Sequence, residues 1–174
     1  MIKTDRMKKE KTQPLIYLVD DDTVFLTLIQ SELSSIGNVK VRTFATGESC
    51  LKQMDKNPSV VVLDYELSSE DPTVMNGVEV LKKVKEGNPE TEVLMISGWE
   101  DVTIAVASMK FGAFDYVVKN ESAMVNINNK VQNIFSKLDV VHKLKQEKTY
   151  KYYAVGLIMM IGAFIFMLHW LVSP

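Results

Sequence analysis

The sequence predicts an α/β fold, a doubly wound five-stranded parallel sheet followed by a long helix and a single transmembrane helix. Three observations favour this class. Five short apolar runs alternate with five helical patterns, as in parallel sheets with crossover helices. One run, Val60–Leu63, is unbroken and β-branched, which is typical of a central strand buried on both faces. The twenty residues of Tyr153–Val172 contain no Asp, Glu, Lys or Arg.

The strands follow from short apolar runs, and the helices from apolar residues at helical spacing between turn signals. The first helix begins at Thr23 and is predicted to bury Val24, Phe25, Leu28, Ile29 and Leu33 before Gly37. The later helical patterns begin at Thr46, Gly77, Asp101 and near Ser122. The five predicted strands are Leu15–Val19, Val39–Ala45, Ser59–Asp64, Glu92–Ile96 and Phe114–Val118.

Polar side chains stand where four of these strands end. They are Asp20 and Asp21 after the first strand, Asp64 at the end of the third, Ser97 after the fourth and Lys119 after the fifth. Right-handed crossovers bring the carboxyl ends of parallel strands to one edge, where sites of open α/β sheets form. Taken singly, each aspartate is equally well explained as a helix cap or turn residue, and Lys119 as a solvated charge.

Three carboxylates at one edge repel each other unless they are protonated or bridged by a cation. Oxygen ligands with open coordination positions suit Mg²⁺, which accepts phosphate oxygens as further ligands. Asp64 can then act as a nucleophile towards an activated phosphoryl group and form an aspartyl phosphate. Lys119 and the Ser97 hydroxyl would offset part of the negative charge on the transferring group.

Five segments in order make the chain resemble the receiver domain of two-component response regulators, from about Leu15 to Leu138. They read LIYLVDDD, VVVLDYEL, NGVEVLKKVK, VLMISGWED and FGAFDYVVKN. The resemblance implies a flavodoxin-like sheet of order 2-1-3-4-5 and a magnesium-dependent phosphoacceptor site. By that resemblance Asp64 is the phosphoacceptor, Asp20, Asp21, Asp64 and the backbone carbonyl of Glu66 bind Mg²⁺, Ser97 and Lys119 assist catalysis, and Tyr116 is the switch aromatic.

The chain departs from the family pattern at three places. Asn120 replaces the proline that usually follows the lysine, so the cis bond common there costs about 2.5–4 kcal/mol, and its geometry stays open. The interval between Asp64 and Gly77 is longer than usual, and the extra Ser68–Val74 segment is acidic. Trp99 stands two residues after Ser97, where we hypothesise that its bulk restricts water and prolongs the phosphorylated state.

Composition limits the partners. The middle of the chain, from residue 12 to 142, holds 19 acidic and 11 basic side chains, a poor match for nucleic acid.

The lone Cys50 fits a reducing compartment and a buried apolar position. Residues 1–12 form a basic arm, either a solvated tail or a contact for anionic lipid. No N-terminal signal peptide is indicated.

The predicted domains are the arm at 1–12, a receiver at 13–138, a juxtamembrane helical linker at 139–151 and a transmembrane helix at 152–172. Four lysines precede the apolar stretch, which places them and the receiver on the cytoplasmic side of the inner membrane. They are Lys143, Lys145, Lys148 and Lys151. A buried core or oligomer helix is the alternative for the apolar stretch. The linker has too few heptads to establish a coiled coil, so a homodimer stays possible.

The leading functional hypothesis is a membrane-tethered, single-domain response regulator. It would take phosphate from a histidine kinase or a histidine phosphotransferase onto Asp64 and switch a surface around Ala105–Tyr116 that binds an output protein. The expected partners are therefore proteins and membrane lipid, with no nucleic acid, and no enzymatic activity beyond self-phosphorylation and its reversal. The first alternative is a phosphorylation-independent membrane adaptor with the same fold. A hydrolase using the same metal site is a third option.

Overall fold

The computed structural model describes residues 13–67 and 74–172. Five parallel strands form one sheet in the order β2-β1-β3-β4-β5, so the predicted five-stranded parallel α/β sheet and its strand order are confirmed. The elements, in chain order, are β1 Leu15–Val19, α1 Thr23–Ser34, β2 Lys40–Phe44, α2 Gly47–Leu51, a 3-10 turn Met54–Lys56, β3 Val60–Asp64, α3 Gly77–Gly87, β4 Glu92–Ser97, α4 Val102–Lys110, β5 Asp115–Val118 and α5 Ala123–Val172.

The sheet buries its centre and exposes one edge. Every residue of β3 is buried, as its unbroken apolar run predicts, and β4 is buried from its second residue onward. The edge strand β2 alternates between exposed and half-buried residues. Because Asp64 pairs in register with Ile96, and Val19 pairs with Leu63, the ends of β1, β3 and β4 lie at one level.

Helix α1 buries Ile29 and Leu33, as the sequence predicts, but the rest of its buried set differs from the prediction. Its buried residues are Leu26, Ile29 and Leu33, whereas Val24 and Leu28 are exposed. Both sets follow helical spacing, so periodicity alone could not identify which of them faces the sheet.

The helix starts are fixed by side-chain caps. Asp22 caps α1, Thr46 caps α2, and Asp101 caps α4, each through backbone N–H groups of the first turn. Asn76 and Glu79 form a reciprocal capping box at α3. The next residue, Gly77, must lack a side chain, because a Cβ there would lie 2.2 Å from the backbone oxygen of Asp64. This close approach locks α3 against the end of β3.

Contacts divide the chain into two units, the first ending at Ile134 and the second beginning at Phe135. In the first unit α5 buries Ala123, Ile127, Val131 and Ile134. The second unit continues the same helix, and many of its described apolar residues are exposed, among them Val155, Leu157, Ile158, Met159 and Met160.

The predicted transmembrane helix at 152–172 is not found as a membrane span. Within the described residues, no helix combines the length and the apolar character needed to cross a bilayer. The segment is helical, as predicted, but it is continuous with the linker rather than a separate element. The basic arm at 1–12 and most of the Ser68–Val74 segment lie outside the described residues, and the predicted domain limits stay a prediction.

Candidate functional site

The carboxyl edge of the sheet gathers three aspartates. Asp20 and Asp21 follow β1, and Asp64 is the last residue of β3. One carboxylate oxygen from each lies within 4.8 Å of the others, so the predicted convergence of these side chains is observed. Asp20 and Asp64 are almost fully buried, at 1% and 2% exposure, while Asp21 is exposed. The cluster therefore opens to solvent on the Asp21 side.

Lys119 supplies the positive charge of this edge. Its ammonium lies 2.7 Å from Asp20 Oδ2 and 3.0 Å from Asp64 Oδ2, and its side chain is 19% exposed. The end of β5 holds it there, because the Lys119 backbone N–H donates to the Ser97 carbonyl at 2.8 Å. One ammonium thus faces two buried carboxylates, with Asp21 nearby, and these four groups together carry a net negative charge when all are ionised.

The titration of the cluster reflects this imbalance. Burial, reinforced by the charge of Asp20, raises the pKa of Asp64 to about 6, although Lys119 opposes the rise. Burial likewise raises the pKa of Asp20 above its usual value of 3.8. Burial acts to lower the pKa of Lys119, but the hydrogen bond to Asp20 and the charges of both acids outweigh it, and the pKa is raised.

Asp64 carries an oxygen without a partner. Its Oδ2 faces Lys119, whereas Oδ1 is buried and has no hydrogen-bond partner among the described residues. An unsatisfied buried carboxylate oxygen is costly unless a cation or a reacting group completes it. Together with the neighbouring oxygens of Asp20 and Asp21, this donor set fits a hard divalent cation such as Mg²⁺.

Ser97, at the end of β4, and Tyr116, on β5, are linked through Trp99. Ser97 is fully buried, and its Oγ accepts the Trp99 backbone N–H at 3.2 Å. The Tyr116 hydroxyl donates to the Trp99 backbone carbonyl at 2.7 Å. The Trp99 backbone therefore joins the end of β4 to β5, while its indole is 67% exposed. This connection is absent from the sequence pattern, because it runs through backbone atoms.

Glu66 lies in the loop after β3, two residues beyond Asp64. Its carboxylate extends towards the loop after β4, where a Cβ added to Gly98 would lie 3.7 Å from Glu66 Oε2. The role of its backbone carbonyl as a metal ligand stays a prediction. Glu66 and Trp99 stand on the two loops that border the acid cluster.

Asn120 replaces a family proline without a cis bond, since no peptide bond between described residues is cis. Its side-chain oxygen accepts the Ser122 N–H at 3.0 Å, and its carbonyl accepts the Ala123 N–H at 2.9 Å. Asn120 thus closes a turn just before α5. The Lys119 ammonium still reaches both acids.

Sequence reasoning missed one contact of the site. The Phe25 ring lies over Lys119, with the ammonium 4.8 Å from the ring centroid. The sequence pattern assigned Phe25 to the apolar face of α1. Its place in the first turn after the acidic loop was a signal that it could face the site, but not that it would meet a lysine from β5.

Comparisons with known proteins agree with this geometry. A profile of the response regulator receiver domain matches residues 16–132. The photosynthetic apparatus regulatory protein RegA of Rhodobacter capsulatus is 32% identical over 110 residues, which cover 62% of this chain and 56% of RegA. The DNA-binding transcriptional regulator NtrC of Escherichia coli K12 is 28% identical over 106 residues, covering 60% of this chain and 21% of NtrC.

Comparison with solved structures also finds similarity to receiver domains. The beryllofluoride-activated receiver domain of DrrB, from Thermotoga maritima, superposes with a TM-score of 0.62 and 31% identity, covering 71% of this chain and 98% of that one. The chain spans little more than half the length of RegA and about a fifth of NtrC. The similarity therefore concerns the receiver domain, which the family profile matches at residues 16–132.

Proposed function

Because the chain belongs to the response regulator receiver domain family, we propose that Asp64 accepts a phosphoryl group from a histidine kinase or a histidine phosphotransferase. The observation that carries this proposal is the asymmetry of the Asp64 carboxylate. Oδ2 is held by Lys119, while the buried Oδ1 has no partner among the described residues. A nucleophile needs such an oxygen, positioned but not already engaged.

In the proposed transfer, Asp64 attacks phosphorus through Oδ1. A new bond forms between the carboxylate oxygen and phosphorus as the bond between phosphorus and the donor nitrogen breaks. The nitrogen keeps the electron pair, and because the other ring nitrogen of the donor histidine already carries a proton, the imidazole leaves as a neutral group. Lys119 stays beside Oδ2 and offsets charge on the acyl phosphate, and in this proposal the Ser97 hydroxyl, at the end of the neighbouring strand, turns to contact a phosphoryl oxygen.

Mg²⁺ is the proposed cofactor, held by Asp20, Asp21, Asp64 and the backbone carbonyl of Glu66. When bound, it would neutralise the acid cluster and draw a phosphoryl oxygen towards the site. The residues themselves favour a cation, because three carboxylate oxygens converge at this edge and the pKa of Asp64 is raised to about 6. The chain is proposed to act only on itself, without turnover of a separate substrate.

Phosphorylation is proposed to switch a surface formed by α4 and β5. It adds about −1.5 to −2 charges beside Ser97, whose hydroxyl accepts the Trp99 N–H. A Ser97 hydroxyl turned towards the phosphoryl group would release that N–H and alter the Trp99–Tyr116 link. The surface meets an output protein in this proposal, and nucleic acid is not expected as a partner.

The decisive experiment treats the purified chain with Mg²⁺ and acetyl phosphate. We expect mass to increase by one phosphoryl group, and we expect Asp64→Asn to prevent the increase. Glu92→Gln, at the opposite edge of the sheet, is the matched acid control and should still be modified. Absence of modification in the wild-type chain, together with no response to beryllofluoride, would favour the phosphorylation-independent adaptor.

Membrane attachment is a separate part of the proposal. The exposed apolar residues of the second unit follow four lysines and one glutamate, a pattern that suits lipid contact next to an anionic surface. We expect the full chain to sediment with vesicles containing anionic lipid, and a chain ending at residue 152 to stay in the supernatant. Resistance to a carbonate wash would indicate a single-pass insertion with the receiver in the cytoplasm; release would indicate surface binding.

A further inference from the structure

The Lys119 ammonium is held by more than the two acids. The Phe25 ring covers it, with 4.8 Å between Nζ and the ring centroid. A cation within about 6 Å of an aromatic face is attracted by the quadrupole of the ring. Because the Lys119 side chain is 81% shielded from solvent, water weakens this attraction little.

The backbone before Phe25 ties the ring to the acid cluster. The Asp22 carboxylate accepts the backbone N–H of Phe25 at 3.1 Å and that of Val24 at 2.9 Å. The Asp22 backbone N–H in turn donates to Asp20 Oδ1 at 2.9 Å. The other oxygen of Asp20 faces Lys119 at 2.7 Å. These contacts form a closed circuit from Asp20 through Asp22 and Phe25 to Lys119 and back.

We propose that Phe25 is a positioning residue for phosphoryl transfer, holding the Lys119 ammonium against Asp20 and Asp64. This inference rests on the proposed function. An ammonium has three N–H donors, and a ring attracts its charge without supplying a competing carboxylate. The ring thus keeps the Lys119 ammonium beside Asp64 while Asp20 and Asp64 take up a cation and a phosphoryl group in place of their present contacts.

The first test compares phosphorylation rates with acetyl phosphate, using the full chain in non-ionic detergent. A small donor is required because α1 could also contact a protein donor. We expect Phe25→Leu to lower the rate by roughly 2- to 30-fold, from the usual strength of such contacts, and Phe25→Tyr to stay near wild type. Leu28→Ala, on the exposed side of the same helix, is the control and should not change the rate.

The second test separates the ring's electrostatics from its packing. Phenylalanine carrying one, two or three fluorines, incorporated at position 25, keeps nearly the same shape but has a progressively weaker negative face. We expect the logarithm of the rate to fall stepwise with fluorine number. A rate independent of fluorination, while Phe25→Leu is slow, would assign Phe25 to packing and overturn the inference.

The third test asks whether Phe25 acts through Lys119. In a Lys119→Met background, Phe25→Leu should produce no further loss, since the group that it positions is gone. An undiminished loss in that background would contradict the inference. Independently of phosphorylation, the ring should shift the Lys119 Hε NMR signals upfield, and Phe25→Leu should remove that shift.

The two failures can be told apart. If the upfield shift is present but the wild-type chain takes no phosphoryl group, the proposed function fails and the positioning role falls with it. If the chain is phosphorylated on Asp64 but the rate ignores fluorination, the proposed function stands and only the role of Phe25 is overturned.

Discussion

The two edges of the sheet each combine a lysine with carboxylates, but with opposite balance. At the amino edge Lys85 donates to the Thr91 carbonyl at 2.7 Å and lies 3.6 Å from the Glu92 carboxylate, and the buried Thr91 hydroxyl donates to the Pro58 carbonyl at 2.7 Å. At the carboxyl edge Lys119 faces two buried acids with a third nearby, and Asp64 Oδ1 has no partner among the described residues.

This difference shows what separates a structural ion pair from a candidate reaction site. The two lysines are equally exposed, at 19%, so burial does not distinguish them. The excess of negative charge distinguishes the two edges, because the carboxyl edge stays without full neutralisation or hydrogen bonding until a cation or a phosphoryl group binds. At the amino edge one lysine meets one acid and a carbonyl, and the fold itself satisfies the groups.

The largest contrast between the edges should appear in phosphorylation. We expect Lys119→Met to lower the rate from acetyl phosphate by about 10²- to 10³-fold, as for the loss of one preorganised charge-stabilising group. Lys85→Met, the same change at the amino edge, should leave the rate within twofold. The rates are measured by intact mass at timed intervals. An equal loss in both variants would mean that fold damage, not site chemistry, explains the effect.

Stability should respond in opposite directions at the two edges. The rise in the pKa of Asp64 from 3.8 to about 6 corresponds to at most about 3 kcal/mol of unfavourable charge at neutral pH. Without Mg²⁺, Asp64→Asn should therefore stabilise the fold by about 1–2 kcal/mol, less than this limit because the buried Asn amide must itself find hydrogen-bond partners. Thr91→Val should destabilise it by about 1–2 kcal/mol, because the Pro58 carbonyl loses its donor.

Urea denaturation at pH 7.5 in EDTA measures both changes in the free energy of unfolding. With added Mg²⁺, the wild-type chain should instead be more stable than Asp64→Asn, because only the wild-type chain gains stability from the bound cation. Destabilisation by Asp64→Asn in EDTA would contradict the view that the carboxyl edge is left electrostatically unbalanced.

The pH dependence sharpens this comparison. The folded pKa of Asp64 lies above its unfolded value, so the folded state binds the proton more tightly. The unfavourable free energy of the buried Asp64 charge is absent below about pH 4, grows between pH 4 and 6 and is complete above pH 6. The stabilisation by Asp64→Asn in EDTA should therefore shrink towards zero as the pH falls from 7 to 4. A difference that stays constant over this range would rule out Asp64 as its source.

Local sequence signals were sufficient for the fold and for most of the cluster. Unbroken or alternating apolar runs located the five strands, and parallel topology then placed Asp20, Asp64 and Lys119 at one edge. This inference needed no side-chain detail, because a residue's position at the end of a strand fixes the edge on which it lies.

Features that depend on packing could not be predicted in the same way. Helix α1 has two apolar sets at helical spacing, and only contact with the sheet selects Leu26 over Leu28 for burial. The Phe25–Lys119 contact joins the first helix to the last strand, and no spacing rule relates them. The unpartnered oxygen of Asp64 is likewise a property of the assembled edge.

The smallest expected effect concerns water at the carboxyl edge. Trp99 joins Ser97 and Tyr116 through its backbone N–H and carbonyl, so Trp99→Ala keeps both hydrogen bonds and removes only the indole. We expect the aspartyl phosphate to be lost several-fold faster in Trp99→Ala, because the indole no longer restricts water. Trp99→Phe should retain most of the lifetime.

The lifetime is measured as the decay of the phosphorylated mass after the donor has been removed by rapid desalting. Val102→Ala is the control, because Val102 is equally exposed on the adjoining helix but carries no backbone link to Ser97 or Tyr116. An unchanged lifetime in Trp99→Ala would mean that bulk beside the cluster does not govern hydrolysis. The phosphoryl group's stability would then depend on the charges of Lys119 and the acid cluster, the same imbalance that distinguishes this edge from the other.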